Sequence, residues 1–318
     1  MAEGAVRMID DVRPPGGETT ADELLAVGFE EHRAHLERVA YAVTGSRAAA
    51  EDCVQESWLR LQRADHGAIR DLRAWLTTTV GHLALDQLGS AQARRERYVG
   101  TWLPEPVVEP LPPLAAASRA IDPADRVTLD ESVSMALLVV LEQLTPAQRV
   151  AYLFHDVFGM SFDEVARVVG RTPAAVRQLA ARARKDVREG APRANPSVRE
   201  QREVVEAFIA ACAGGDLAAL VSVLDPDVVM RSDGGGNVPA PRAAQHGAVQ
   251  VARIMLGFLR RPPREVRPAL VNGGYGIVMC DSTGTWSVTS FTVVDGLVAA
   301  IDIVRNPDKL GDLARPDR

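Results

Sequence analysis

The sequence predicts a multidomain chain in which two all-α units precede an α+β unit, and three observations carry that prediction. Apolar residues recur at helical intervals from Phe29 to Val99. A second helical set ends in two well-marked helices joined at a glycine. After Asn195 and Pro196, two or three amphipathic helices give way to runs rich in Val, Thr, Ile and aromatic residues. The expected divisions are a loose acidic tail over 1–27, a first helical unit over 28–99, a proline-rich linker over 100–130 and a second helical unit over 131–190. A short linker over 191–197, an α+β unit over 198–305 and a C-terminal tail over 306–318 complete the chain.

In the first unit, Val54, Trp58 and Leu61 fall at i, i+4 and i+7, and Trp75, Thr79 and Leu83 follow at a similar interval. The linker holds Pro104, Pro106, Pro110, Pro112 and Pro113, which fix φ and remove donors, so it is expected to run extended and to separate the helical units. Thr145-Pro146-Ala147-Gln148 and Ser161-Phe162-Asp163-Glu164 both fit the capping box and mark two helix starts. In the last unit, Tyr275 to Cys280 and Thr285 to Val294 read as strands, and Asp295-Gly296 joins the second to Leu297–Val304 as a two-residue hairpin in a mainly antiparallel sheet.

Composition narrows the function classes. At 318 residues the chain has room for several small cores, and 47% apolar with 25% charged residues is ordinary for a soluble globular protein. No run of about 18 uncharged apolar residues occurs. The N-terminus carries Glu3, Asp10 and Asp11 where a secretory signal would be basic and then apolar, so a cytoplasmic protein without a membrane partner is expected. Cys53, Cys212 and Cys280 lie far apart without metal-ligand spacing, which predicts buried reduced thiols and neither metal nor cofactor. A net charge of −6 argues against coating nucleic acid along the whole surface, so local arginine clusters matter more than the mean.

Such a cluster closes the second helical unit. From Ser161 to Arg188 the sequence places a short helix, Gly170 in a turn, Thr172 as N-cap and Pro173 at the first position of a second helix: a helix-turn-helix. Val176, Leu179, Ala183 and Val187 form its core stripe, leaving Arg177, Gln178, Arg182, Arg184, Lys185 and Arg188 on exposed faces. Arg177 and Gln178, near the helix start, are suited to pair bidentately with base edges. Arg184, Lys185 and Arg188 are suited to neutralise phosphates. The plain alternative is an arginine-rich solvated helix.

The first unit decides between an ordinary repressor-like reader and something more specific. The segment from Ala49 to Leu61, containing Glu51, Asp52, Cys53, Val54, Gln55, Glu56, Ser57 and Trp58, resembles region 2 of extracytoplasmic-function sigma factors, as does Arg73 to Leu88 with Trp75, Leu76, Asp86 and Gln87. The stretch from Leu144 to Arg188 is similar to their region 4. The resemblance implies that core RNA polymerase docks on Asp52, Gln55 and Glu56. It implies that the melted minus-10 strand is held by Trp75, Thr78, His82, Asp86, Gln87, Arg94, Arg95 and Arg97. The minus-35 element then falls to Arg171, Thr172, Ala174, Arg177, Gln178, Arg182, Arg184, Lys185 and Arg188. Physical chemistry is compatible with each set: an acidic face for a basic partner helix, and aromatic, hydrogen-bonding and cationic groups for unpaired bases. Gly89 stands where the family commonly carries a basic residue.

From about Val198 to Val304 the chain resembles the SnoaL-like fold, a cone of curved antiparallel sheet closed by helices. Trp102-Leu103-Pro104-Glu105-Pro106, Asp233-Gly234-Gly235-Gly236 and Asn306-Pro307-Asp308-Lys309-Leu310 are the short motifs of the sigma-factor subgroup that carries this extension. Asn237 replaces a lysine common there, which removes a salt bridge. An apolar, proline-stiffened linker and a glycine loop that permits close backbone approach predict that Trp102, Leu103 and Pro104 dock near Asp233 to Gly236, as a regulatory contact. The alternative is that Trp102 packs on the first unit alone. For catalysis the available groups are Asp227, His246 and Asp302, and nothing pairs an acid with a base. The expected partners are therefore core RNA polymerase and promoter DNA, with a small-molecule ligand of the last unit left open. The rival readings are a helix-turn-helix regulator with a ligand-sensing domain and an isomerase or cyclase fused to a DNA-binding unit.

Overall fold

The structure, a computed structural model, describes residues 21–95, 98, 100–111, 133–190 and 196–314. Three helices open it: α1 (Ala21–Thr44), α2 (Arg47–Gln62) and α3 (Leu72–Arg95). Helix α1 begins inside the segment expected as a tail, because Leu25 and Phe29 pack against the helical core. The second helical set comprises α4 (Met135–Leu141), α5 (Pro146–Tyr152), α6 (Phe162–Val169) and α7 (Pro173–Gly190). A π turn over Leu153–Val157 continues α5. Both expected capping boxes are formed, at Thr145/Gln148 and Ser161/Glu164, and each satisfies backbone donors that a helix start otherwise leaves open.

The two helical units do not have separate cores. Leu36, Val54, Leu76 and Val80 of the first set and Leu138, Phe154, Val165 and Val176 of the second belong to one continuous buried cluster. Gly81 makes the approach of α3 possible: a Cβ there would stand 2.7 Å from the Phe154 ring and 3.0 Å from Val168. Arg149, 1% exposed, crosses the same seam, pairing with Glu142 and donating from Nη2 to the Ala42 carbonyl at 3.3 Å. A buried guanidinium is tolerated only with such partners.

The third unit holds α8 (Val198–Gly214), α9 (Leu217–Ser222), α10 (Ala248–Phe258) and strands β2 (Leu224–Asp233), β3 (Gln245–His246), β4 (Glu265–Val271), β5 (Gly274–Cys280), β6 (Trp286–Val294) and β7 (Leu297–Val304). Strand β1 (Val108–Glu109) comes from the linker and pairs antiparallel with β4, giving the order β1-β4-β5-β6-β7-β2-β3. Every pairing is antiparallel except β2 with β7. Asp295 and Gly296 take φ 49° and 78°, as the expected two-residue hairpin requires. All three cysteines are buried and free.

Side chains alternate across this sheet, and its two faces have different neighbours. Met230, Tyr275, Ile277, Phe291, Ile301 and Ile303 face α8 and α10. The opposite face carries Val271, Val278, Val288 and Val304, which pack with Leu103 of the linker and with Met135 and Val139 of α4. The start of the expected C-terminal tail is structured: Asn306 caps α11 (Pro307–Leu310), and Leu310 joins that same back-face cluster.

The shared helical core predicts that Phe154→Ala destabilises both helical sets together, by about 3–5 kcal/mol. Denaturant unfolding followed by hydrogen exchange should show α3 and α6 losing protection at one midpoint.

Candidate nucleic-acid interface and linker clamp

Helix α7 presents its basic face to solvent. Gly170, at φ 66°, closes α6 in the left-handed conformation, and the Thr172 hydroxyl accepts from the Ala175 backbone N–H to start α7. Val176, Ala180, Ala183 and Val187 are buried, with Leu179 partly so. Arg171, Thr172, Ala174, Arg177, Gln178, Arg182, Lys185 and Arg188 are exposed. The Arg177 guanidinium rests 5.2 Å above the Phe162 ring, which itself stacks on His155. Arg184 differs from the expectation of an exposed phosphate contact. It is half-buried and its Nε donates to Asp156 at 2.6 Å, because the π turn brings that carboxylate against α7.

Asp52 and Gln55 are exposed and Glu56 half-buried on α2, whose Val54 and Leu61 are fully buried. They line an open groove of about 540 Å³ together with Leu59 and with Leu83, Asp86 and Gln87 of α3. Asp86 and Gln87, expected among strand-holding residues, thus border the same groove as Asp52, Gln55 and Glu56. Trp75 and Thr78 are half-buried, Trp75 packing on the helical core. His82 lies on the seam, its Nε2 2.9 Å from the Arg167 carbonyl of α6. Arg94 and Arg95 end α3, and the placement of Arg97 lies outside the described residues.

The linker is pinned from both sides. Asp233, with no exposure, accepts four hydrogen bonds: Oδ1 from the Tyr98 hydroxyl (2.6 Å) and Gly235 N–H (3.0 Å), Oδ2 from Leu103 N–H (2.8 Å) and Lys309 Nζ (2.7 Å). Lys309 also donates to the Leu103 carbonyl and stands 3.9 Å from the Trp102 ring centroid. Burial and the Asp233 carboxylate raise the Tyr98 pKa, so its hydroxyl remains a donor. The glycine loop lets this happen: a Cβ on Gly235 would fall 2.4 Å from the Asn306 carboxamide, which donates to Tyr98 at 2.9 Å. Asn237 reaches Asp308 at 3.3 Å, so the cation at this corner comes from Lys309 instead.

Trp102 also touches the first unit, since a Cβ on Gly45 would meet its ring at 3.2 Å. The two placements weighed for it occur together. Glu105 adds a second anchor, accepting from Ser46 Oγ at 2.8 Å and Arg47 N–H at 2.6 Å at the start of α2. There a carboxylate meets the positive helix end. Tyr41 donates to the Glu105 carbonyl and accepts from Asn272 of the third unit. Sequence reasoning missed Tyr41, Tyr98 and Asn272, and took Glu105 only as part of a motif; single polar residues that meet from distant parts of the chain leave no local pattern.

The groups available for acid–base chemistry are dispersed. Asp227 and His246 are exposed, and His246 sits on β3. Asp302 is 2% exposed on the back face, 3.0 Å from Arg231; burial raises its pKa above the usual carboxylate range, against the pull of that arginine.

Residues 29–94 match the model of sigma-70 region 2, and residues 134–187 match sigma-70 region 4. The chain is 44% identical over 293 residues to the ECF RNA polymerase sigma factor SigJ of Mycobacterium tuberculosis, covering 88% of this chain and 91% of that protein. A probable ECF sigma factor of the same organism, SigI, is 34% identical over 291 residues, covering 91% and 96%. The crystal structure of SigJ superposes with a TM-score of 0.74 at 42% identity, over 92% of this chain and all of that one.

The four-donor arrangement makes Asp233→Ala costly, because it leaves the Lys309 ammonium buried without that carboxylate. A loss of about 3–5 kcal/mol is expected, with partial recovery when Lys309→Met is added. Chemical denaturation of both variants measures the difference, and equal stability of the single and double variants would show that the ammonium left behind carries no penalty.

Proposed function

The chain belongs to the extracytoplasmic-function RNA polymerase sigma factors, subunits that bind core RNA polymerase and promoter DNA, and from that premise we propose how its residues divide the task. Helix α7 reads the minus-35 element, with Arg177 and Gln178 at base edges and Arg171, Arg182, Lys185 and Arg188 along the phosphates. The observation that carries this assignment is the exposed basic face of a capped recognition helix, with Arg177 pre-positioned over Phe162. Arg184 is withdrawn from it in favour of Asp156.

The acidic groove of α2 and α3 receives core polymerase, and Asp86 and Gln87 serve that groove as much as the minus-10 strand. Trp75, Thr78, His82, Arg94, Arg95 and Arg97 remain the proposed strand contacts. The His82 contact with α6 gives the arrangement its meaning: this face of α3 engages DNA only after α3 and α6 part. We read the described form as closed, with the third unit acting in cis through the linker. The third unit is assigned no turnover, since Asp227, His246 and Asp302 share no site. The protein acts in the cytoplasm, where its polymerase is. None of its described helices is long and apolar enough to cross a membrane.

Promoter-dependent run-off transcription on addition to core polymerase tests the whole reading. Within it, Arg177→Ala should relax base preference at one position, whereas Lys185→Ala should weaken all sequences and reduce the salt slope by about one. Binding isotherms on specific and scrambled minus-35 DNA at several salt concentrations separate the two. Replacing Asp52, Gln55 and Glu56 together by alanine should lower affinity for core polymerase while leaving the thermal midpoint nearly unmoved; unchanged pull-down of core polymerase would reject the docking role.

A further inference from the structure

Between the inner face of the sheet and helices α8 and α10 lies a cavity of about 340 Å³, within the size range of small-molecule sites. Its walls are apolar, built from Phe208, Met230, Met255, Ile277, Phe291 and Ile303. Protein interiors leave few voids larger than a water, so an apolar volume of this size between sheet and helices is room for an occupant.

One buried polar atom points to the same conclusion. Ser232, 2% exposed, lines the cavity, and its Oγ has no hydrogen-bond partner in the structure. Buried hydroxyls are nearly always paired, and alternation along β2 aims this one inward while its neighbour Asp233 faces the linker. Ser287 and Thr289 of β6 line the cavity too, adding further hydrogen-bonding groups.

The charge nearby is already neutralised. Arg305 lines the cavity, but its guanidinium donates to Asp281 at 2.6 Å and to the Pro239 carbonyl at 3.0 Å, and it lies 4.9 Å over the Phe258 ring. An anionic ligand would have to displace Asp281, which is itself held by Thr283 and Thr285. Exposed Phe258 and Val266, at 40% and 45%, line the cavity with Pro262 and Pro263 and give it an apolar rim toward solvent.

We propose that this cavity is a binding site for an uncharged, mainly apolar small molecule carrying one hydroxyl or carbonyl group, which hydrogen-bonds to Ser232. The ligand's apolar body replaces the missing core contacts and its single polar group supplies the missing partner. Asp227, His246 and Asp302 do not line the cavity, so the site holds its ligand without the groups that would transform it.

Three two-ring probes test this on the full chain by titration calorimetry: 2-naphthol, naphthalene and 2-naphthoate. Saturable 2-naphthol binding at one site is expected, with 2-naphthoate at least tenfold weaker. Ser232→Ala should weaken 2-naphthol about tenfold and leave naphthalene unchanged. Met230→Trp fills the cavity from its floor and should abolish binding of both. Ile209→Trp, which plugs the cavity from the half-buried Ile209 on α8, should do the same without changing a fully buried position. The proposal is overturned if 2-naphthol does not saturate, or if binding survives Ile209→Trp. It is equally overturned if 2-naphthoate binds as tightly as 2-naphthol, or if Ser232→Ala weakens both neutral probes alike.

Discussion

A carboxylate removed from water has to be surrounded by donors, and the four around Asp233 come from separate parts of the chain: Tyr98 from just before the linker, Leu103 from the linker, Lys309 from α11 and Gly235 from its own loop. Meeting that demand fixes much else. Leu103 is brought into the back-face cluster beside Met135 and Val139, so the start of the region 4 helices rests on the sheet of the third unit. The linker then lies close enough to add β1 to the edge of β4 and to place Glu105 at the start of α2. One buried charge thus positions the linker against all three units.

The sheet separates two chemistries by alternation alone. Along β2, Arg231 and Asp233 belong to the back face with its ion pairs, while Met230 and Ser232 belong to the cavity. Along β7 and its continuation, Asp302 and Val304 face one way, Ile303 and Arg305 the other. Neighbouring residues on two strands therefore serve the linker and the cavity at the same time, and a displacement of either strand is felt on both sides.

What the sequence revealed was local. Capping boxes, the Gly170 turn and the Asp295-Gly296 hairpin are short-range patterns, and all of them were legible. A second signal of the same kind was overlooked: Asn272-Gly273, with φ 49° and 75°, turns β4 into β5. Strand β2 was hidden because Asp225, Pro226 and Asp227 interrupt its start, where the pairing with β7 is also irregular. The merging of the helical units depends on Gly81 lying against Phe154, and the withdrawal of Arg184 depends on a π turn, neither of which a periodicity can register. For the site residues, exposure on α7 and α2 was foreseeable from helix faces and the docking of Leu103 near Asp233 from the motifs, whereas the partners of His82 and Tyr98 were not.

Because the linker and the sheet that holds it are parts of one polypeptide, their association has no dependence on how much protein is present. A separate inhibitor must be made in proportion to its target and is diluted when its target is overproduced. Here the ratio is one to one by construction, and the balance between held and released linker is a pure number without concentration units. Dosage of the gene would change how many molecules are poised, and leave untouched the fraction of them that is.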